Sequence, residues 1–375
     1  VRALAVRPGT PGVLVVDRPE PAVTRPDEVK VRVLAVGICG TDREEAAGGR
    51  AKAPEGQAEL VIGHEMLGQV VEVGPEVRGL RVGDLAVFTV RRGCGEDISC
   101  LVGRPDMCRT GRYLERGIWG LDGFQTEYVV DREAYAVRVP AELGELGVLV
   151  EPLSVAEKAI DEAVRVQAAR LPEAGAAPAW LAGCRCLVVG LGPIGLLGAM
   201  ALSLRGAQVC GLDVVDPDTP RAAWLSALGG SYVDGRKVPP DRVPQTVGTF
   251  DLVFEAAGVA ALDFNLLEAL APDGILVLTG IPGEDRPFEL PGGELARRLV
   301  LGNLAMVGSV NAAADHYRLA VEDLVRAACR WGKDFVGRLI THRYSVDEAP
   351  EAFGRHPPDE IKAVVTWTAH PGQTA

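Results

Sequence analysis

The segment Gly190-Leu191-Gly192-Pro193-Ile194-Gly195 narrows the folds open to this chain more than any other. It follows the apolar run Cys186–Val189 and opens into the helix-competent stretch Gly195–Leu204. A G-x-G-x-x-G in that strand–turn–helix setting reads as a dinucleotide-binding turn. Gly190 permits the tight turn, Gly192 lets the backbone approach a pyrophosphate, and Gly195 lets the helix pack on the strand. Pro193 and Ile194 begin the helix, whose unpaired N–H groups suit phosphate oxygens. An acidic residue, Asp213, closes the next apolar run, Val209–Asp213, roughly 20 residues on. Its carboxylate suits the adenosine ribose hydroxyls. Val214-Val215-Asp216 offers no Arg for a 2′-phosphate, so NAD is expected over NADP. NADP would need an Arg from elsewhere, Arg221 or Arg236. Gly258, beyond the expected strand Leu252–Glu255, and Asn311 are further candidates for the cofactor site.

The alternation around that turn predicts the fold class. A helical pattern runs from Pro152 to about Arg170, and Arg221–Leu228 reads as a second helix. Strands are expected at Cys186–Val189, Val209–Asp213, Leu252–Glu255, Ile275–Thr279 and Ala305–Val310. Such alternation makes a doubly wound parallel sheet with helices on both faces. The first 150 or so residues are instead rich in Val and Gly, with strand patterns at Val29–Val33, Gly68–Val73 and Gly83–Val87. The tail from about Leu339, with a terminal strand at Ala363–Val365, is expected to return to that β-rich part. The predicted organisation is therefore an α/β chain of two domains. A discontinuous catalytic domain covers 1–155 and 313–375, and a dinucleotide-binding domain covers 156–312.

Composition excludes several function classes. A net charge of −12 argues against a nucleic-acid surface, which needs clustered cations. With 47% hydrophobic and 24% charged residues the chain reads as globular rather than disordered. The apolar stretch Leu187–Leu204 is long enough to suggest a membrane span, but five interruptions (Gly190, Gly192, Pro193, Gly195, Gly198) make it a buried strand–helix unit. Val1–Arg7 lacks a leader pattern, and the eight cysteines form no disulfide framework, so the expected location is the cytoplasm.

Two further motifs carry chemistry. Gly63-His64-Glu65 continues through Gly68 and Gly74 to Val77 as G-H-E-x2-G-x5-G-x2-V, and Gly37-Ile38-Cys39-Gly40-Thr41-Asp42 precedes it. A Cys thiolate and a His imidazole are donors that a catalytic Zn²⁺ prefers. Glu65 and Glu151 both remain candidates for the third protein ligand. Zinc there would act as a Lewis acid on a substrate hydroxyl, with Thr41 placed to accept its proton. A second group, Cys94, Asp97, Cys100 and Cys108, lies in a turn-rich loop and forms a candidate structural zinc site.

In combination these motifs resemble the zinc-dependent medium-chain dehydrogenase/reductases, whose structural lobe has four cysteines spaced C-x2-C-x2-C-x7-C. Asp97 stands here at the second of those positions. Thr41–Glu44, Tyr113–Ile118, Glu151–Ala159, Gly229–Asp234 and Val307–Ala312 look more closely like the archaeal-type glucose dehydrogenases, and the likeness runs essentially end to end. The resemblance implies a β-rich GroES-like catalytic domain beside a Rossmann domain, and a homo-oligomer, dimer or tetramer. It implies oxidation of an aldose at C1 to its lactone with NAD(P) and zinc. Glu115 and Asn311 match positions that contact sugar and cofactor, and Glu151 matches one that helps complete the metal site. A sugar pocket needs such polar partners, because buried hydroxyls without them are expensive. Two rival readings stay open: a polyol or cyclitol dehydrogenase with the same metal, and a catalytically silent nucleotide-binding relative.

Overall fold

The computed structural model describes residues 1–175, 179–283 and 287–367. They divide into two compact units, Val1–Ser154 with Asn311–Ala375, and Val155–Val310. The chain returns to the first unit at Asn311, whose side chain hydrogen-bonds Glu115.

The first unit is built on a seven-stranded sheet. Its strands are β1 (Glu28–Ile38), β2 (Glu65–Val73), β3 (Leu85–Phe88), β4 (Tyr128–Arg132), β5 (Ala136–Val139), β12 (Ile340–Ser345) and β13 (Lys362–Thr366). The order is β5-β3-β2-β1-β13-β12, with β4 also paired to β1. β1 is the central strand and is buried along nearly its whole length; Val29–Val33 alternates with Lys30 and Arg32, while Leu34–Ile38 is continuously apolar or glycine. It pairs antiparallel with β2, placing Gly37 opposite Glu65, and with β13, placing Ile38 opposite Ala363. A short helix, α1 (Gly40–Ala46), leaves the end of β1. Val31, Val33, Val36, Met66, Phe88 and Phe124 fill the core beneath the sheet. At roughly 1.5–3 kcal/mol for each large apolar side chain buried, this core fixes the position of every strand end that carries a functional residue.

The helix α2 (Val150–Arg170) contains the first boundary between the units. The second unit holds β6 (Arg185–Val189), α3 (Pro193–Leu204), β7 (Gln208–Asp213), α4 (Pro220–Leu228), β8 (Ser231–Asp234), β9 (Phe250–Glu255), β10 (Leu270–Leu278) and β11 (Ala305–Gly308). All of its ladders are parallel, in the order β8-β7-β6-β9-β10-β11. Counted along the chain this is 3-2-1-4-5-6, the dinucleotide-binding arrangement. The order reverses between β6 and β9, so a ligand crevice is expected beyond their carboxyl ends. The apolar stretch around the glycine turn is a strand and a helix, and no helix among the described residues is long and apolar enough to cross a membrane.

The glycine turn is as tight as the sequence implies. Gly190 has φ +85°, Gly192 caps α3 and Pro193 is its first residue. A Cβ on Gly195 would lie 1.8 Å from the Gly190 carbonyl oxygen, and neither backbone can yield without opening the turn. Gly195→Ala is expected to lower the thermal midpoint and to abolish dinucleotide binding in calorimetry, at a cost of about 1–3 kcal/mol or more from overpacking. Unchanged affinity would show that the turn relaxes freely.

Candidate active site

Cys39 caps α1 in extended geometry, directly after the buried end of β1. Its backbone N–H donates to Asp42 Oδ2 at 2.7 Å. The other Asp42 oxygen lies 3.4 Å from His64 Nδ1, both atoms are buried, and neither has a closer hydrogen-bonding partner. One fully buried carboxylate thus bonds the Cys39 backbone and faces the His64 ring, the usual placement behind a metal-bound imidazole. Cys39, His64 and Glu65 each offer a ligand atom within 4.8 Å of the others. A thiolate, an imidazole and a carboxylate form a donor set that suits Zn²⁺. Burial works against charge on His64, yet Asp42 and Cys39 hold its pKa well above the ordinary value.

Glu65 has a partner that sequence reasoning missed. Lys362 Nζ, from the first residue of β13, donates to both Glu65 oxygens at 2.7 and 2.6 Å and to the Ile38 carbonyl at 3.1 Å. Both side chains are almost wholly buried. The signal was present as a lysine inside the apolar run Ile361–Trp367. Burial opposes its charge, but Glu65, then Cys39, raise its pKa above the usual lysine value. A carboxylate has about four acceptor sites, so two accepted hydrogen bonds leave lone pairs for a metal. Gly37 makes the room: a Cβ there would sit 1.9 Å from Glu65 Oε2.

Glu151, the alternative third ligand, stands outside the three-donor group. It lies in the first turn of α2, where burial pushes its carboxyl up to about 7 despite the opposing pull of His64. Thr41 is half-buried at the second residue of α1. Glu45, on the same helix, was not foreseen. Both its oxygens are buried without a hydrogen-bonding partner, and burial, then Asp42, push it up to about 10.

Glu115 and Asn311 are brought together. Asn311 Nδ2 donates to Glu115 Oε1 at 2.9 Å, and Asn311 adopts φ +62°. Arg91 donates to the same oxygen through Nε at 3.0 Å and Nη2 at 2.9 Å. It stacks 4.0 Å from the centre of the Tyr113 ring and donates through Nη1 to the Asp106 carbonyl at 2.8 Å. Arg91 therefore ties the expected sugar-contacting carboxylate to the cysteine lobe.

In that lobe Cys94, Asp97, Cys100 and Cys108 again have ligand atoms within 4.8 Å of one another. Cys94 and Cys100 sulfurs are 3.9 Å apart, and Cys94 Sγ is 3.6 Å from Asp97 Oδ2. A tetrahedron with Zn–S bonds of about 2.3 Å has edges of roughly 3.8 Å, so these donors suit zinc. Asp97 also accepts from Cys100 N at 2.9 Å and Arg109 N at 2.8 Å. Those bonds hold its carboxyl well below the usual range.

In the second unit Asp213 Oδ2 accepts from Leu191 N and Oδ1 from Val214 N, both at 2.6 Å. Its carboxylate thus braces the glycine turn, and each oxygen keeps an acceptor site. Val214–Asp216 supplies no Arg of its own, but Arg236, one of the two arginines named from the sequence, arrives from beyond β8 and donates to Asp216 Oδ1 at 2.7 Å. Ile194 is half-buried in the first turn of α3. Gly258 (φ +65°) donates its N–H to the fully buried Glu255, which also accepts from Ala257 N and Gly280 N. Glu255, unforeseen, pins the loops beyond β9 and β10.

Removing one partner of a buried ion pair leaves the other charge stranded. Lys362→Met is expected to lower stability by about 3–5 kcal/mol in urea unfolding, with Lys362→Arg recovering part of the loss. An unchanged midpoint for Lys362→Met would refute the pairing.

Comparison with known proteins agrees with this geometry. Residues 25–141 match the family model described as an alcohol dehydrogenase GroES-like domain. Residues 144–367 match the model described as glucose dehydrogenase C-terminus. Glucose 1-dehydrogenase 2 of Vulcanisaeta moutnovskia is 39% identical over 370 residues, covering 97% of this chain and 99% of the relative. Glucose 1-dehydrogenase of Thermoproteus tenax is also 39% identical, with the same coverage. Among solved structures, Haloferax mediterranei glucose dehydrogenase in complex with NADP, Zn and gluconolactone superposes with a TM-score of 0.87 at 34% identity. That match covers 98% of this chain and 100% of the other. With both family models filled and its relatives matched along nearly their whole length, the chain belongs to the glucose dehydrogenase family of zinc-dependent medium-chain dehydrogenase/reductases.

Proposed function

We propose that this protein is a zinc-dependent, NAD(P)-linked aldose dehydrogenase that oxidises a glucose-like sugar at C1 to the lactone. The observation that carries the reading is the donor group of half-buried Cys39 with buried His64 and Glu65. The gluconolactone held by the Haloferax enzyme supports the substrate class.

Zinc, when bound, supplies Lewis-acid stabilisation of the substrate oxygen. Cys39, His64 and Glu65 are the residues that would hold it, with Asp42 fixing the imidazole and Lys362 fixing the Glu65 carboxylate. Thr41 is the group we assign to relay the C1 hydroxyl proton, its oxygen accepting that proton while its own hydroxyl proton passes outward to solvent. Glu115 and Asn311 are assigned to the sugar hydroxyls, with Arg91 holding the carboxylate in place. A buried polar array of this kind favours a polyhydroxylated substrate, since a simple alcohol would leave it unpaired. The second donor group, Cys94, Asp97, Cys100 and Cys108, is assigned to a structural zinc. Asp213 and Asp216 oppose a 2′-phosphate, so NAD is the expected preferred cofactor. A cytoplasmic homo-oligomer, dimer or tetramer, accompanies this reading, and light scattering on the purified protein measures its size.

A panel of aldoses and polyols with both cofactors, combined with zinc analysis, tests the proposal. The protein is expected to contain two zinc ions per chain and to oxidise aldoses in preference to polyols. Cys39→Ser and His64→Ala should each abolish turnover and lose one zinc while binding NAD normally. Full activity in a zinc-depleted variant would sink the mechanism. Glu115→Ala should lower kcat/KM for sugars by about 10–100-fold, the range for charged hydrogen bonds of ~1.5–3 kcal/mol, with cofactor affinity little changed. Identical kcat/KM for every sugar would remove Glu115 from the site.

A further inference from the structure

We infer that Asp216 governs dinucleotide choice by occupying Arg236, the side chain that would otherwise read a 2′-phosphate. The inference rests on the reading of the chain as an NAD(P)-linked enzyme and names the residue that sets its cofactor range.

Arg236 lies two residues beyond β8. Its Nε and Nη2 clamp the two oxygens of Asp234, both at 2.8 Å, and the Asp234 side chain is only 7% exposed. That buried partner anchors the guanidinium. From the anchor, Nη2 also donates to Asp216 Oδ1 at 2.7 Å and lies 3.5 Å from the Val215 carbonyl oxygen. The guanidinium therefore stands over the segment that directly follows Asp213. In a sheet of this order, that strand end meets the adenosine ribose.

The two halves of the contact differ in strength. Asp216 is 66% exposed, and an ion pair so open to solvent is held weakly. The backbone beneath does not depend on it. Tyr232 Oη donates to the Asp213 carbonyl at 3.1 Å and to the Val215 carbonyl at 2.5 Å, while Asp213 braces Leu191 and Val214. Removing the Asp216 side chain thus leaves both the turn and the anchored arginine in place.

Asp216 presents to Arg236 what a 2′-phosphate would present, namely anionic oxygens for an outward-facing N–H. While it does so, NADP must displace a carboxylate and then remain beside it. NAD, with only a hydroxyl at that position, makes no such demand. Without Asp216 the arginine is pre-oriented for a charge-assisted contact with phosphate.

The test compares wild type, Asp216→Ala and Asp216→Ala/Arg236→Ala in kcat/KM for NAD and NADP with one sugar. Asp216→Ala/Arg236→Gln serves as a second version of the double variant should loss of the Asp234 partner impair folding. Asp216→Ala is expected to raise kcat/KM for NADP by about tenfold or more, as a charged hydrogen bond gained would, with NAD unchanged. Removing Arg236 as well should abolish the gain. The inference is overturned if Asp216→Ala leaves NADP use unaltered. It is equally overturned if the double variant keeps the gain, since relief of repulsion alone then explains it. The wild-type NAD/NADP ratio is a separate reading. Equal use of both cofactors by wild type would refute the NAD preference, whereas the effect of Asp216→Ala is measured against whatever ratio wild type has.

Discussion

The buried pair between Lys362 and Glu65 is the constraint on which the metal pocket depends. It joins β13, from the far end of the sequence, to a carboxylate in the G-H-E motif. A buried ion pair rarely outperforms apolar packing as a source of stability, because desolvation offsets most of the attraction. Its value here is positional. Lys362 reaches both Glu65 oxygens and the carbonyl of Ile38, one residue before Cys39, so it ties the Glu65 carboxylate to the end of the strand that leads into Cys39. The carboxylate fits only because Gly37 has no side chain. The tail joins the first unit through β13, which pairs with β1 and carries Lys362 to the pocket.

Asp42 plays the matching part on the other side. One oxygen orders the Cys39 backbone and the other faces the His64 ring, so a single capping residue couples helix α1 to the imidazole. Arg91 extends the same logic outward. It grips Glu115 with one edge of its guanidinium and the lobe backbone at Asp106 with the other. A metal in the lobe would therefore stiffen the carboxylate assigned to the sugar without touching the reaction. That gives a non-catalytic metal site a physical reason to persist beside an active site.

The Rossmann half was legible because its rules are local. Gly190, Gly192, Gly195 and Asp213 act on neighbours in one turn and two adjacent strands, and the structure has the sheet order that such a turn implies. Cys39 and His64 were legible because their motifs are contiguous. Lys362, Arg91, Asp42's double role and Glu255 were not. Each works through a contact with a residue distant in sequence or with a backbone N–H, and such pairings have no periodic signature. Arg236 was legible as a candidate for a 2′-phosphate, but its pairing with Asp216 was not, because it arrives from beyond β8, the strand that neighbours β7. Glu151 is legible in another way: it is buried close enough to His64, Glu65 and Lys362 for their charges to act on its carboxyl, while the three ligand atoms within 4.8 Å of one another belong to Cys39, His64 and Glu65.

Diffraction from crystals of the zinc-loaded protein, recorded at the zinc absorption edge, tests the central claim most directly. The account predicts an anomalous peak within bonding distance of Cys39 Sγ, His64 Nε2 and a Glu65 oxygen, with Lys362 still hydrogen-bonded to the Glu65 carboxylate. Zinc confined to the cysteine lobe, or bound at Cys39 and His64 with Glu65 turned away beside Lys362, would contradict it.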